Sequence, residues 1–167
     1  MLTTEALKSL FSYNKETGIF TRINNSYRKN NAGETIGYKN KKGYISVEVK
    51  VKGVKQKLLA HRLAYTFTFG EIPQGMQIDH IDGDRSNNKI NNLRCVTPRG
   101  NSENQKNAMP FNQTKLIGVS FYKRDNIFTA QINVNGKKKH LGRFKTAEEA
   151  NIAYVKAKRV FHNTCTI

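Results

Sequence analysis

Apolar residues alternate with polar ones in two neighbouring stretches of the first half of the chain. The alternation covers residues 44–49, stops at a turn over 51–54 and resumes over 57–59, which predicts a β-hairpin. Over residues 61–69 the apolar positions take helical spacing instead, and Gly70 is placed to end that helix. The pattern therefore predicts a hairpin that leads directly into a helix.

The N-terminal segment predicts smaller elements. Residues 3–12 have the spacing of a short amphipathic helix, and residues 19–23 have that of a short strand. Residues 24–42 are polar and contain glycine, which predicts a loop. Five cations lie in this loop: Arg28, Lys29, Lys39, Lys41 and Lys42.

A polar segment occupies the middle of the chain. Residues 76–81 and 93–97 predict two strands, and the loop between them is rich in Asp, Asn and Gly. Pro98 stands where a helix could start, because proline is well tolerated in the first turn of a helix. The predicted order is strand, loop, strand and helix, with polar side chains concentrated on the loop.

The C-terminal third predicts a sheet with one covered face. Strands are predicted at 118–123, 128–134 and 137–144, and the Asn-Gly pair at 135–136 is typical of a type I′ hairpin turn. Residues 146–149 form a capping box ahead of apolar residues at helical spacing. We therefore expect a three-stranded antiparallel sheet covered on one face by one helix, with its other face exposed to solvent.

Charge gives the first indication of function. The 167 residues contain 29 Lys and Arg against 12 Asp and Glu, which gives a formal net charge of +17 and a pI near 10.0. Such a field attracts polyanions, and nucleic acid is expected ahead of an anionic membrane surface. The chain has no stretch of the roughly 18 apolar residues that a membrane helix needs, and it has no signal-peptide pattern. Its two cysteines are too few for a disulfide framework. We expect a soluble, cytoplasmic protein.

The charge is unevenly distributed. Residues 1–70 carry 13 basic and 4 acidic side chains, residues 71–110 carry 5 of each, and residues 111–167 carry 11 and 3. Two cationic flanks, of +9 and +8, therefore surround a neutral segment rich in Asp and Asn. A metal-dependent phosphodiester site between DNA-binding surfaces would have this distribution. A basic protein with one neutral loop would have it too.

Four residues around this neutral segment could together hydrolyse a phosphodiester. Asp79 at a strand end and Asn101 in the first turn of the next helix offer oxygen ligands to a hard divalent cation, with room left for phosphate and water. His80 can deprotonate an attacking water, because a neutral imidazole is a base near pH 7. Asn92 could hydrogen-bond that imidazole. An Asx-turn loop without chemistry is the alternative interpretation.

The stretch IDHIDGDRSNNKINNLRCVTPRGNSEN resembles the HNH endonuclease motif in its phage and intron-encoded form, in which Asn replaces the final His. The upstream stretches LLAHRLAYTFTFGEIP and LFSYNKETGIFTRI are similar to segments of phage HNH proteins. The resemblance implies a ββα-metal nuclease with His80 as general base, Asn92 orienting it, and Asp79 and Asn101 as metal ligands. It implies 5′-phosphate and 3′-hydroxyl products. Mg²⁺ or Mn²⁺ is expected rather than zinc, because the neutral amide of Asn101 weakens zinc affinity.

The stretch GVSFYKRDNIFTAQINVNGKKKHLGRFKTAEEANIAYVKAK resembles an AP2 DNA-binding domain, which is a sheet-plus-helix module. The resemblance implies that the exposed sheet face lies in the DNA major groove. Gln or Asn side chains can read adenine there, and Lys can contact guanine or phosphate. The positions that match DNA-facing residues of AP2 domains are Ser120, Tyr122, Gln131, Asn133, Lys138 and His140.

Together these predictions describe an α+β chain in four parts. The parts are an N-terminal basic region with a β-hairpin (1–60), an HNH nuclease motif (61–107), a linker (108–115) and an AP2-like domain (116–167). The expected function is that of a phage or mobile-element homing endonuclease, a monomer that binds double-stranded DNA and needs one divalent metal and no small-molecule cofactor. A DNA-binding protein or regulator without catalytic activity is the alternative, and an RNA-binding protein is a more distant one.

Overall fold

The computed structural model of the chain describes residues 4–23, 32–51 and 53–166. The chain forms two compact units, Met1–Pro98 and Arg99–Ile167. The division lies upstream of the linker predicted from the sequence, and each unit has its own hydrophobic core. The mixture of helices and sheets predicted from the sequence is confirmed. In the described part of the chain, no helix is long and apolar enough to cross a membrane.

In its described residues, the first unit consists of small antiparallel sheets and two α-helices. Its elements in chain order are α1 (Thr4–Leu10), β1 (Phe11–Tyr13), β2 (Phe20–Arg22), β3 (Thr35–Ile36), β4 (Tyr38–Lys39), β5 (Ile45–Val51), β6 (Val54–Leu59), α2 (Ala60–Phe69), β7 (Gln77–His80), a 3₁₀ turn (Ile90–Asn92) and β8 (Leu93–Val96). The strands pair in the orders β1-β2-β3, β4-β5-β6 and β7-β8. The predicted hairpin is confirmed, since β5 and β6 pair from Ser46 opposite Leu59 to Lys50 opposite Lys55.

The N-terminal helix is shorter than the sequence pattern predicts. α1 ends at Leu10, and the residues that follow it form β1, which pairs with β2 so that Phe11 lies opposite Arg22. The turn between these strands is held by the Oδ1 atom of Asn14, which accepts hydrogen bonds from two backbone N–H groups at 2.9 and 3.0 Å. The predicted helix over 3–12 is therefore wrong at its end, because strand pairing buries the Phe11 ring.

Part of the loop predicted over 24–42 lies outside the described residues, namely 24–31 with Arg28 and Lys29. The described remainder contains β3 and β4, which each add a strand to a neighbouring sheet. Two-residue strands have too few side chains to show an alternating pattern, so the sequence indicated only a loop. Lys52 in the predicted hairpin turn also lies outside the described residues.

α2 is the element around which the first unit packs. Its helical spacing places Leu63 and Ala64 in a core that also contains Phe11, Phe20 and Val47. Each of these large side chains contributes about 1.5–3 kcal/mol by leaving water. α2 also contacts β7 and β8, so the core fixes the position of the β7–β8 pair that carries the candidate site.

The second unit contains one sheet and one long helix. Its elements are α3 (Pro98–Glu103, whose first residue ends the first unit), β9 (Val119–Tyr122), β10 (Ile127–Val134), β11 (Lys137–Phe144) and α4 (Ala147–Phe161). The strand order is β11-β10-β9, all antiparallel, and α4 packs on one face. Asn135 and Gly136 have φ of 55° and 78°, as a type I′ turn requires, and Thr146 and Glu149 form the predicted capping box.

Candidate active site and nucleic-acid interface

β7 and β8 place Asp79 and His80 on opposite faces of a two-stranded ladder. The register pairs Asp79 with Arg94 and His80 with Leu93, and directly paired residues share a face. Leu93 belongs to the core, so His80 lies on the core side and Asp79 on the other. Both side chains are nevertheless almost enclosed, with 8% of Asp79 and 4% of His80 exposed.

A buried amide holds His80. The Nε2 atom of His80 lies 3.3 Å from Oδ1 of Asn88, a residue that is itself only 3% exposed. The amide nitrogen of Asn88 donates to the carbonyl of Ser86 at 3.1 Å, so the amide oxygen is the end that faces the imidazole. Because a carbonyl oxygen can only accept, this bond requires the proton on Nε2 and leaves the imidazole lone pair on Nδ1.

Burial also determines the protonation state of His80. Removal from water lowers the pKa of this imidazole below its ordinary value. The hydrogen bond to Asn88 and the nearby carboxylates of Asp82 and Asp79 raise the pKa in turn, but do not outweigh burial. His80 is therefore neutral at pH 7, which is the form that a general base must have.

Asn92 organises the loop between β7 and β8 rather than the imidazole. Its Oδ1 atom accepts from the backbone N–H of Asp82 at 3.0 Å, and its Nδ2 atom donates to Asp82 Oδ1 and to the Asn87 carbonyl, each at 2.9 Å. Both amide hydrogens of Asn92 are thus used within the loop. The hydrogen bond to His80 that the sequence suggested for Asn92 is made by Asn88 instead.

Asp82 is the centre of the hydrogen bonds within this loop. Its carboxylate accepts from the backbone N–H of Asp84 at 2.8 Å, from Nδ2 of Asn87 at 2.7 Å and from Nδ2 of Asn92 at 2.9 Å. Burial raises the pKa of Asp82, but these hydrogen bonds outweigh it and the pKa is lowered. The Asx-turn interpretation therefore describes Asp82, whose carboxylate oxygens hold the loop together.

The N-terminal hairpin supports the same loop from outside. The hydroxyl of Tyr13 donates to the Asn88 carbonyl at 2.7 Å, and Ile90 N–H donates to the Lys15 carbonyl at 3.0 Å. Gly18, at φ 75°, lies so close that a Cβ atom there would be 2.6 Å from the Asn88 backbone. The turn after β1 thus requires glycine at this position, and β1 and β2 serve to position the residue that holds His80.

A second histidine, which the sequence did not place in the site, packs against His80. His61 lies in the first turn of α2, is 5% exposed, and has its ring centroid 5.0 Å from that of His80 in an edge-on arrangement. Tyr44 lies 5.1 Å from His61 on another side. The Nδ1 atom of His61 is enclosed and has no hydrogen-bond partner among the described residues. His61 belongs to the stretch LLAHRLAYTFTFGEIP, whose similarity to phage HNH proteins is the signal in the sequence that points to it.

The predicted metal ligand Asp79 forms an ion pair. Both Nε and a terminal nitrogen of Arg94 donate to Oδ2 of Asp79, at 3.0 and 2.9 Å. Among the described residues no three His, Cys, Asp or Glu side chains are grouped so that they could hold a metal ion. The carboxylate of Asp79 fits a hard cation that keeps most of its shell for water and phosphate, as Mg²⁺ does.

The other predicted metal ligand lies in the second unit. Asn101 is in the middle of α3, a six-residue helix that begins at Pro98. The helix start is as the sequence predicted. A shared metal between Asp79 and Asn101 stays a prediction.

The exposed face of the second unit's sheet carries all the residues predicted to contact DNA. Alternation along β10 buries Ala130 and Ile132 under α4, and their neighbours Gln131 and Asn133 are exposed on the opposite face. The register places the other predicted residues on that same face: His140 opposite Gln131, Lys138 opposite Asn133, Ser120 opposite Thr129 and Tyr122 opposite Ile127. Their contact with DNA stays a prediction.

A β-bulge adds a cation to this face that the sequence analysis did not identify. The pairing of β10 with β11 shifts by one residue between Ala130 and Gln131. If β11 paired with β10 without a bulge from the hairpin turn onward, Gly142 would lie opposite Thr129. The bulge puts Arg143 there instead, on the exposed face. A one-residue shift of this kind leaves no signal in the alternation of apolar residues.

The burial of His61 predicts a pH dependence of stability. In the folded chain, burial lowers the pKa of His61 from 6.5 to about 3, and the nearby His80 and Arg62 add to this effect. As the pH falls below 6.5, the unfolded chain binds a proton that the folded chain does not, so the free energy of unfolding decreases. This residue alone should contribute about 1.4 kcal/mol per pH unit, down to a pH near 3.

Denaturant unfolding of the wild type and of His61→Phe between pH 4 and 7 measures that contribution. The difference between the two unfolding free energies should change steadily with pH in this range. His140→Phe, which alters an exposed histidine, is the control and should show the wild-type slope. Parallel curves for His61→Phe and the wild type would contradict the prediction.

Comparison with known proteins identifies a protein family that matches the segment carrying this site. The family model described as HNH endonuclease matches residues 58–103, which contain α2, β7, β8 and α3. The matched segment therefore includes the four residues that the sequence analysis selected: Asp79, His80, Asn92 and Asn101.

Three relatives show sequence similarity over part of the chain. YosQ, an SPbeta prophage-derived protein of Bacillus subtilis (strain 168), is 41% identical over 41% of this chain and 34% of its own length. Protein 3.8 of Escherichia phage T7 is 38% identical over 41% of this chain and 55% of its own. The DNA endonuclease I-HmuI of Bacillus phage SP01 is 31% identical over 56% of this chain and 59% of its own length. The chain thus spans less than two thirds of the length of each of these relatives.

A solved structure of DNA binding and cleavage by the HNH homing endonuclease I-HmuI also matches. The TM-score is 0.46 at 21% sequence identity, over 92% of this chain and 88% of that chain. A TM-score below 0.5 is too low to carry a correspondence between individual residues. The family match and the sequence relatives together show that the chain contains an HNH endonuclease domain and has homing endonucleases among its homologues.

Proposed function

We propose that the chain is a metal-dependent DNA endonuclease in which His80 is the general base. The observation that carries this proposal is the enclosed, neutral imidazole of His80, which Asn88 holds in a loop with its own hydrogen-bond network. A buried histidine with a lowered pKa and an orienting amide has the protonation state and the fixed tautomer that general-base catalysis needs.

The chemistry assigned to His80 is a proton transfer at Nδ1. The Asn88 bond keeps the Nε2 proton in place, so the lone pair that accepts a proton is on Nδ1. Nδ1 takes a proton from a water molecule, whose oxygen attacks the phosphorus while the bond to the 3′ oxygen breaks. The 3′ oxygen leaves as an alkoxide that takes a proton from a solvent water molecule, and the imidazolium of His80 returns its proton to solvent. The products are a 5′-phosphate and a 3′-hydroxyl.

A divalent metal completes the proposal. Asp79 and Asn101 would hold one Mg²⁺ or Mn²⁺ ion, which when bound stabilises the negative charge that develops on the phosphate and the leaving oxygen. The support on the side of the protein is the donor chemistry, one carboxylate and one amide oxygen. The guanidinium of Arg94 donates to Oδ2 of Asp79 and offsets the negative charge that this carboxylate would offer to a metal ion.

The second unit would supply affinity for double-stranded DNA, as an AP2-like module. Residues 99–167 contain 13 basic and 4 acidic side chains, a net charge of +9. The exposed sheet face combines Gln131 and Asn133, which can bond to base edges, with Lys138 and Arg143, which can contact phosphate or guanine. These contacts would position the chain on DNA.

A DNA-binding protein without cleavage activity is the second candidate. The specific observation in its favour is the ion pair between Asp79 and Arg94, which neutralises the carboxylate that a metal would need. This candidate predicts tight binding to DNA and no metal-dependent product.

Cleavage of supercoiled plasmid separates the two candidates. The wild-type chain should convert the plasmid to open circles with Mg²⁺ or Mn²⁺ and leave it intact with EDTA. His80→Ala should reduce the rate by about 10²- to 10⁴-fold, the usual range for loss of a general base. Its affinity in a gel shift should be nearly unchanged, because the basic side chains lie elsewhere.

The controls use plasmids that together carry diverse phage DNA, so that a target site is present. Tight binding without cutting in any metal would establish the non-catalytic candidate. Cleavage by His80→Ala at the wild-type rate would assign the base to another residue. Loss of binding in His80→Ala would show that binding and cleavage are not separable.

The orienting role of Asn88 predicts an effect on rate alone. Asn88→Ala removes the acceptor that fixes His80, and residues that orient a functional histidine typically contribute about 10- to 100-fold. Single-turnover cleavage should slow by that factor with DNA affinity unchanged. Asn91→Ala is the matched control, because Asn91 is an exposed amide three residues away. Equal rates for both variants would show that Asn88 does not orient the base.

Two adjacent lysines test which sheet face binds DNA. Lys138 lies on the exposed face opposite Asn133, whereas Nζ of Lys139 lies 4.4 Å from the ring centroid of Phe161 on the α4 side. Lys138→Ala should weaken binding and reduce the slope of log affinity against log salt by about one. Lys139→Ala should leave the slope unchanged. The opposite result would place DNA away from the exposed face.

A further inference from the structure

Two large apolar side chains that line the same groove are exposed to solvent in the second unit. Phe111 is 83% exposed and Met109 is 53% exposed, and Pro110 separates them in the chain. Phe111 is the most exposed of the large hydrophobic side chains in the described part of the chain. Isolated apolar residues are common on protein surfaces, but adjacent ones with this much exposed area often mark a binding site.

The turn that carries these side chains is held in place by hydrogen bonds. Asn112 N–H donates to the Met109 carbonyl at 2.9 Å, and Nζ of Lys115 donates to the Pro110 carbonyl at 2.7 Å. The side-chain amide of Asn112 donates to two further backbone carbonyls, each at 3.1 Å. The backbone therefore presents Phe111 to solvent in a fixed position, and little entropy is lost when a partner binds it.

A groove of about 420 Å³ lies beside Phe111. A second aromatic ring, Phe121, also lines it, and four of its lining residues are amides: Gln105, Asn107, Asn112 and Gln113. The groove reaches Ser120, which lies on the exposed sheet face. An apolar projection, amide hydrogen-bonding groups and the proposed DNA face are thus continuous on the surface of this unit.

The charge around the groove indicates the partner. Residues 104–124 contain four Lys and Arg and no Asp or Glu. The lining of the groove itself carries no charged side chain, but the unit that presents it has 13 basic and 4 acidic residues, as DNA-binding surfaces require. The continuity of the groove with the proposed DNA face favours the bases of that DNA as the partner of Phe111.

We propose that Phe111, with Met109 beside it, is a wedge that inserts into a base step of bound double-stranded DNA. This inference rests on the proposed DNA binding by the second unit. Phe and Met are side chains that DNA-bending proteins insert between base pairs, where they unstack one step and kink the duplex. The amides of the groove then hydrogen-bond the base edges and sugars of the opened step.

The linking number of closed circular DNA tests the wedge without knowledge of a target sequence. Relaxed plasmid is saturated with protein in EDTA, treated with a topoisomerase I that needs no Mg²⁺, and freed of protein. Insertion between base pairs unwinds the duplex, so the wild type should shift the topoisomers to a lower linking number. Phe111→Ala, at a concentration that also saturates the DNA, should lose most of that shift, and Phe111→Leu should keep much of it.

Affinity at several salt concentrations provides the second readout. Stacking on a base contributes a factor of roughly 5- to 100-fold, so Phe111→Ala should weaken binding by an amount in that range. The slope against salt should not change, because no phosphate contact is lost. Val160→Ala is the matched control, since Val160 is a 72% exposed apolar residue of the same unit, on α4.

The outcomes separate this inference from the function it rests on. DNA binding by the wild type without a shift in linking number would overturn the wedge and leave the proposed function intact. An equal shift from Phe111→Ala would overturn it too, as would sedimentation showing that Phe111→Ala dissociates a dimer. No binding to DNA at all would instead contradict the proposed function. Phe111 is exposed, so the variant should melt at the wild-type temperature.

Discussion

A hydrogen bond between two buried side chains, His80 and Asn88, is the interaction on which the candidate active site depends. Burial alone would keep an imidazole neutral but would not determine which of its two nitrogens carries the proton. The amide of Asn88, fixed in turn by the Ser86 carbonyl, selects the tautomer with the proton on Nε2. The loop network around Asp82 and the N-terminal hairpin both serve to keep Asn88 in that orientation. Contacts from the β1–β2 hairpin and from the loop around Asp82 therefore position this one side chain.

Charge is distributed differently at the candidate active site and on the exposed surfaces. In the neutral segment one carboxylate, that of Asp79, is enclosed on the face of the β7–β8 ladder opposite His80 and forms an ion pair with Arg94. Removing one partner of an enclosed ion pair is costly, so loss of Arg94 should destabilise the β7–β8 ladder. The cationic side chains that would bind DNA lie on exposed surfaces, where their charge needs no partner within the protein.

Much of the fold could be predicted from the sequence. Both hairpins, α2 and the capping box depend on residues that are close together in the chain, so their patterns are visible without knowledge of the tertiary contacts. The positions of Asp79 and His80 at a strand end were also predictable from the alternation. The orienting residue was not, since Asn88 and Asn92 lie in the same loop and only its folded hydrogen bonds distinguish them. Arg143 was missed because a bulge changes the face of a strand without changing its composition.

The tautomer of His80 is the property that decides whether this imidazole can act as the base. Long-range ¹⁵N–¹H correlation spectra of the metal-free chain at pH 7 distinguish protonated from unprotonated imidazole nitrogens. We expect a neutral ring with the proton on Nε2, and loss of this single tautomer in Asn88→Ala. A ring protonated on Nδ1, or an imidazolium protonated on both nitrogens, would contradict this expectation, because Nδ1 could then accept no proton from water.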